Sequence, residues 1–194
     1  ALEWRTKLVE GVAEHRDYLL EKYLDNPNSI TKEEMIEVIR EATVDLTIVP
    51  VLCGSAAKNI GIQPLIDSIV CFLPNPLDRG ATIGINPRTN SEVFLKPEEE
   101  EQLSGLVFKI ATDPYFGKLA FLRVYSGNLN AGSVIYNTRT KRRERVSRIF
   151  QMHANKQNSI NKISAGDIGA IVGLKNIRTG DTLSNDKFPL LLES

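Results

Sequence analysis

Leu106-Val107-Phe108-Lys109-Ile110, followed by Leu119-Ala120-Phe121-Leu122-Arg123-Val124-Tyr125, marks the point where the hydrophobic period of this 194-residue chain changes to two. Further short runs rich in β-branched residues follow at Val134-Ile135-Tyr136, Val146-Ser147-Arg148-Ile149-Phe150, Ile168-Gly169-Ala170-Ile171-Val172 and Thr182-Leu183. Between them stand the turn signals Ser126-Gly127-Asn128, Asn130-Ala131-Gly132 and Thr179-Gly180-Asp181. Short strands at this spacing predict an antiparallel β-barrel over residues 105–187, because closure removes exposed edges.

Upstream the pattern is helical. Trp4, Leu8, Val12, Leu19 and Tyr23 recur along one face, which predicts a single amphipathic helix from Leu2 to Leu24. After the turn Asp25-Asn26-Pro27-Asn28-Ser29, the capping box Thr31-Lys32-Glu33-Glu34 opens a second helix expected to bury Met35, Ile36, Ile39 and Ala42. Leu46 to Cys53 is continuously apolar apart from Thr47 and reads as a strand covered on both faces. A loop from Gly54 to Gly61 leads to a helix over Ile62–Leu73, with Pro64 in its first turn and Pro74 ending it. The fold class expected is therefore an α/β piece followed by the barrel. Residues 76–104, rich in Pro and carrying Glu98 to Glu101, read as a linker, and 188–194 as a tail.

The formal net charge of zero is a cancellation. Residues 1–50 hold 6 Lys+Arg against 11 Asp+Glu, whereas residues 105–187 hold 14 against 5. Two modules with different partners are expected, the second facing a polyanion. Its densest cluster is Arg139-Thr140-Lys141-Arg142-Arg143-Glu144-Arg145. Lys141, Arg142, Arg143 and Arg145 at a predicted hairpin are the candidate RNA contacts, since guanidinium forks match phosphate. The alternative is a solvated hairpin.

Other chemistry is sparse. Cys53 and Cys71 lie in apolar segments without metal-ligand spacing and read as buried thiols of a reducing compartment. His15 and His153 lack partners for a metal or a catalytic base, and Ser55 and Ser104 lack a His/Asp constellation. Tyr115 and Phe116 are expected to pack onto the barrel rather than stack on bases. No GxxxxGK[ST] or Asn-Lys-x-Asp segment occurs, no apolar run is long enough to span a bilayer, and Ala1-Leu2-Glu3-Trp4-Arg5 gives no export signal.

Val107-Phe108-Lys109-Ile110-Ala111-Thr112-Asp113-Pro114-Tyr115-Phe116-Gly117-Lys118-Leu119, with Arg123-Val124-Tyr125-Ser126-Gly127, resembles the second domain of the bacterial elongation factor G family. So do Gln151-Met152-His153-Ala154-Asn155, Ala165-Gly166-Asp167-Ile168 and Thr179-Gly180-Asp181-Thr182-Leu183. Pro50 to Asn59, then Gly61-Ile62-Gln63-Pro64-Leu65, look like the last guanine motif and final helix of that family's GTPase domain. Residues 1–45 look like the helical end of the subdomain inserted in it, and 46–75 like its C-terminal strand and helix.

The resemblance implies an internal piece of a ribosomal translocation GTPase. The phosphate loop and switches would lie upstream and the third to fifth domains downstream. Ser55, Ala56 and Ala57 match positions that close around guanine, while GTP and magnesium belong to the parent and no cofactor to this piece. The chain is expected to be catalytically inactive and cytoplasmic. Its implied partner is the ribosome, with small-subunit RNA at the barrel and the stalk protein at the N-terminal helices; neither DNA nor a membrane is implied. Two alternatives remain open from sequence: the same domain pair of a ribosome-protection or release-factor GTPase, and an intact hydrolase of unrecognised type.

Overall fold

The structure, a computed structural model, describes residues 2–154 and 156–192. Asn155 of the Gln151–Asn155 stretch and residues 193–194 of the expected tail lie outside it. The chain divides into two compact units, Ala1–Pro74 and Asn75–Ser194.

In the first unit the expected long helix is two helices, α1 (Leu2–Ala13) and α2 (Asp17–Asp25). The last turn of α1 tightens through His15 N donating to Val12 O and Arg16 N to Ala13 O, and Arg16 then adopts extended backbone. Folding back at this point encloses Leu19 with Val9, Val12 and Ala13, together with Ile30 and Val38. A continuous helix would keep those residues on one stripe facing outward. The predicted capping box is formed: Thr31 Oγ1 accepts from Glu34 N, and Glu34 Oε2 accepts from Thr31 N, starting α3 (Lys32–Val44). Ala42 is buried as expected, but Val38 is the most buried side chain of α3, with Met35, Ile36 and Ile39 only half-buried.

Leu46 to Cys53 forms no strand among the described residues. Val49 is 82% and Val51 91% exposed. A strand covered on both faces needs flanking strands, and the described residues of this unit offer none. Helix α4 (Ile62–Phe72) lies where Pro64 and Pro74 place it, yet buries no residue fully. Ile66, Ile69 and Val70 are exposed along it. Cys53 is likewise exposed and Cys71 half-buried, both as free thiols, so the reading of two buried cysteines does not hold.

The second unit begins with a feature absent from the sequence reading. The supposed linker contains a hairpin, β1 (Thr82–Asn86) and β2 (Ser91–Leu95), turned at Asn86–Asn90 and closed by a bridge from Ile85 to Leu191. Leu95 is buried, which anchors the hairpin despite the flanking prolines and glutamates. Next come β3 (Ser104–Asp113), β4 (Gly117–Ser126), β5 (Asn128–Asn130), β6 (Val134–Asn137), β7 (Arg142–Arg145) and β8 (Arg148–His153). Then follow β9 (Lys156–Ile160), β10 (Lys162–Ser164), β11 (Ile168–Val172) and β12 (Thr182–Ser184). Eight of them form one antiparallel sheet in the order β7-β6-β12-β3-β4-β11-β8-β9, while β5 pairs with β10. Strands β7 and β9 end the order, with no ladder joining them among the described residues.

Strand parity explains the apolar runs. In β4, Ala120, Leu122 and Val124 enter one cluster with Val107, Ile149 and Ile171, while Leu119 and Phe121 face a second cluster with Phe150, Ala170 and Val172. Burial on both faces turns alternation into near-continuous hydrophobicity. At Gly127 the chain passes so close to the segment before β3 that an added Cβ would lie 2.6 Å from Glu101 O, and its φ of +69° suits glycine.

Candidate nucleic-acid interface

The basic cluster falls on β7 and the turn before it, as the hairpin reading expects, with Lys141 at a positive φ of 55°. Neighbours along a strand point to opposite faces. The register pairs Asn137 with Arg142, Tyr136 with Arg143 and Val134 with Arg145, so Arg143 and Arg145 share one face and Arg142 and Glu144 the other. The four candidates are therefore not one patch. Arg143 is tied to Asp186, and Arg145 Nε donates to Gly132 O at 3.2 Å. Arg142 and Lys141 are exposed and their side chains make no hydrogen bond or ion pair among the described residues.

Arg139, the first of the run, serves the fold. Its guanidinium donates to both oxygens of Asp181, Nε to Oδ1 at 2.5 Å and Nη2 to Oδ2 at 2.9 Å. Asn137 Nδ2 donates to Asp181 at 2.8 Å, and Arg178 N does so at 2.9 Å. Burial alone would raise the Asp181 carboxyl, but these four hydrogen bonds outweigh it and hold the pKa below the usual value.

On the other side of β7, Arg142 lines a depression of about 450 Å³ with Lys118 at the start of β4, Thr140, and Lys175 and Arg178 of the loop after β11. Sequence reading missed Lys118, Lys175 and Arg178. Lys118 is far along the chain from the other two, and only the basic excess of the whole module hinted at them. Glu144 shapes this loop: its Oε2 accepts from Lys175 N at 2.6 Å and Asn176 N at 3.3 Å.

The aromatic turn splits. Asp113 Oδ1 accepts from Tyr115 N and Phe116 N, and Gln157 donates to Oδ2, which together lower its pKa, the Phe116 amide most. Phe116 packs on Phe150 with centroids 4.9 Å apart and lies under Arg148. Tyr115, expected to pack as well, is 91% exposed because the tight turn points it away from the sheet.

Ser55, Ala56 and Ala57 sit in a compact loop. Ser55 and Ile60 exchange both backbone hydrogen bonds, at 2.9 and 3.0 Å, and Asn59 and Gly61 adopt positive φ. Gly54 is required there, since a Cβ would meet Ile60 O at 2.7 Å. Ala56 and Ala57 are exposed and Ser55 is half-buried. Ser104, far from any His, is buried and hydrogen-bonds Ser126 at 2.7 Å. Among the described residues no group of three or more His, Cys, Asp or Glu side chains could hold a metal ion. No helix among them is long and apolar enough to cross a membrane.

The family profile "Elongation factor G domain 2" matches residues 102–186. The chain is 52% identical over 193 residues to elongation factor G of Cytophaga hutchinsonii, covering 100% of the chain and 28% of the relative. It is 54% identical over 192 residues to that of Amoebophilus asiaticus, covering 99% and 27%, and 48% identical over 192 residues to that of Karelsulcia muelleri, covering 99% and 28%. The chain thus spans little more than a quarter of these curated relatives. A crystal structure of a Thermus thermophilus protein shares the fold, with a TM-score of 0.70 and 23% identity, over 94% of this chain and 24% of that one.

Proposed function

Because the chain is a segment of the elongation factor G family, we propose that it is the middle of a ribosomal translocation GTPase, acting as a structural and ribosome-contacting module without turnover of its own. The observation that carries this reading is the whole-length match at about half identity to three elongation factors G. Residues 1–45 are then the end of the helical insert, facing the stalk protein, and 46–75 the last strand and helix of the GTPase domain. The exposed Val49, Val51, Ile66, Ile69 and Val70 support the second assignment, since apolar surface of this extent marks a face made for covering.

Residues 105–187 form the second domain as a closed barrel. The β5–β10 pair, extended by Ala131 N donating to Asn161 O at 2.8 Å, supports closure, because β5 and β10 are the chain neighbours of β6 and β9 at the two sides of the eight-stranded sheet. This domain faces small-subunit RNA, with Lys141 and Arg142 as its free cations and Arg143 and Arg145 as tethered ones. Ser55, Ala56 and Ala57 touch guanine in the parent, where GTP and magnesium bind in the cytoplasm. The phosphates need a glycine-rich Lys-Ser/Thr loop that these 194 residues lack.

Two measurements on the chain test this. Cosedimentation with small ribosomal subunits should be detectable at low salt and fall as salt rises, and calorimetric titration with GDP should give no heat at micromolar concentrations. A micromolar dissociation constant for GDP, or no cosedimentation at low salt, would overturn the reading.

A further inference from the structure

Arg123, near the end of β4, is half-buried, and the fold supplies it with no acceptor. Arg139 and Arg143 pair with Asp181 and Asp186, whereas the Arg123 guanidinium makes no ion pair or hydrogen bond among the described residues and its Nε is buried without a partner. The Tyr125 ring lies 5.1 Å from its Cζ. That stacking engages the face of the guanidinium and leaves its N–H groups, which lie in the plane, unsatisfied. Strand parity sends both side chains outward: Val124 enters the core, so Arg123 and Tyr125 leave β4 by the other face. Over that face lies the segment before β1. Asn75 Oδ1 accepts from Leu77 N at 2.8 Å and Asp78 N at 3.0 Å, and Gly80 N donates to Leu77 O at 3.0 Å. The turn so formed sets Pro76 against Gly166, where an added Cβ would lie 2.7 Å from Pro76 Cγ. Pro76, Arg79 and Thr82 then wall a recess of about 210 Å³ over Arg123 and Tyr125. No carboxylate lines it: Asp78 accepts from Asn75 N at 2.7 Å, and Asp167, beside Gly166, from Ser164 N at 3.3 Å. Arg79 is exposed and forms no ion pair among the described residues.

We propose that this recess is a binding site for a phosphate dianion, either inorganic phosphate or the terminal phosphate of a small metabolite, held by Arg123 and Arg79 with the Thr82 hydroxyl as a neutral donor. It stands apart from the ribosome-contacting reading and does not rest on it. A buried donor without an acceptor is costly, the more so on a charged group, and an oxyanion that enters relieves that cost. Charge selects phosphate over carboxylate: two unpaired guanidinium groups are matched by a phosphate monoester of about −1.5 to −2, and only half matched by a carboxylate. Size sets the rest. Pockets for drug-sized ligands run to about 300–1,000 Å³, so 210 Å³ admits a phosphate group and little more. A phosphodiester within a nucleic-acid chain carries one charge and a sugar on either side, and it fits neither the charge nor the volume. Because Arg79 belongs to the turn before β1 and Arg123 to β4, an anion between them fastens that turn to the barrel, so occupancy is coupled to the order of the segment where the second unit begins.

The test titrates the full chain with inorganic phosphate, methyl phosphate, dimethyl phosphate and acetate at constant ionic strength and pH, following amide NMR shifts. Inorganic and methyl phosphate should shift the amides of Gly80, Thr82, Tyr125 and Gly166 along one saturating curve, half complete at or below about 1 mM. Dimethyl phosphate and acetate, both monoanions, should bind at least about tenfold more weakly. Arg123→Gln should weaken phosphate at least about tenfold, and Arg79→Glu, which reverses a charge at an exposed position, should do the same and decides the matter even if Arg123→Gln does not fold. No saturation at these amides by about 10 mM, or a half-point unchanged in the folded variants, would overturn the site. Shifts centred instead on the Lys175 and Asn176 amides would show phosphate drawn to the general basic surface and would overturn it too. Acetate as tight as phosphate would make the recess a carboxylate seat, and dimethyl phosphate as tight would remove the charge argument; either result refutes the proposal.

Discussion

Removing the Asp181 carboxylate should cost the second unit about 2–4 kcal/mol. The figure follows from what is left behind. Asp181 is 2% exposed, and Asp181→Ala strands the side-chain amide of the fully buried Asn137 and the backbone N–H of Arg178, each losing its acceptor at about 1–2 kcal/mol. The Arg139 guanidinium, whose side chain is 40% exposed, can turn to water and adds little. Arg139→Ala is the complementary perturbation: it leaves a buried carboxylate with two neutral donors, and should cost about 3 kcal/mol, the low end for a broken buried pair, because water can enter the vacated space. The double variant should be less destabilised than the sum by about 1–2 kcal/mol. Urea titration followed by the amide resonances of Ala120 and Ala170 reports this unit separately from the helical one, which matters because two units need not unfold in one transition. Single-variant losses below about 1 kcal/mol together with additive behaviour would show that the cluster is spectator chemistry, and the argument from unsatisfied donors would fail.

Gly127→Ala should destabilise the second unit by more than about 2 kcal/mol, since the Cβ meets backbone at 2.6 Å, whereas Gly117→Ala, with positive φ but open space, should cost only about 1 kcal/mol; equal losses in urea titrations would contradict the steric argument. The Glu34 carboxyl, held down to about 2 chiefly by the Lys22 hydrogen bond and then by the Thr31 amide, titrates below its ordinary 4.5. Its stabilisation is therefore complete above about 4.5 and lost as pH falls toward about 2, so Glu34→Gln should flatten the acid loss of the helical unit measured by circular dichroism. Limited digestion with a protease of broad specificity should cut first in the exposed Val49–Cys53 run and later in 96–102, where Gly127 N and Asn128 Nδ2 hold Glu98 O and Glu99 O. First cleavage within β4 would contradict the assignment of the sheet as the stable unit.

How much of this was legible depended on where each segment stores its information. The capping box at Thr31 and Glu34 and the prolines bounding α4 are local signals, and both elements formed where they were read. The strands carrying the core were legible because apolar residues recur at Leu106–Ile110, Leu119–Tyr125 and Ile168–Val172. Strand β7 was legible only as part of a hairpin and β9 not at all: Arg142-Arg143-Glu144-Arg145 and Lys156-Gln157-Asn158-Ser159-Ile160 are mostly polar because they end the sheet, where charge discourages further pairing. The β1–β2 hairpin was hidden by neighbouring prolines and glutamates, although Ile83, Ile85, Val93 and Leu95 alternate with other residues along its two strands. The break at residues 14–16 escaped because Val12 and Leu19, seven apart, fit one helix as well as two. Leu46 to Cys53 was read as buried from composition alone, which records what a segment needs and not whether its neighbours are present.

The site shows the opposite relation between sequence and space. Reading Lys141 to Arg145 as one cluster assumed that neighbours in sequence are neighbours on the surface, which fails on a strand because alternate residues leave by opposite faces. Arg143 and Arg145 go to the side where Asp186 and the Gly132 carbonyl engage them, and Arg142 goes with Glu144 to the side of Lys175 and Arg178. Glu144 then has a function the sequence could not disclose. By taking the amides of Lys175 and Asn176 it fixes the loop after β11 beside Arg142, while its negative charge stays within the basic run and acts on Arg139. The basic excess of residues 105–187 records that cations outnumber carboxylates in this unit and not where on its surface they gather. Total charge survives any rearrangement of the chain, whereas a binding surface depends on which charges the carboxylates leave unpaired.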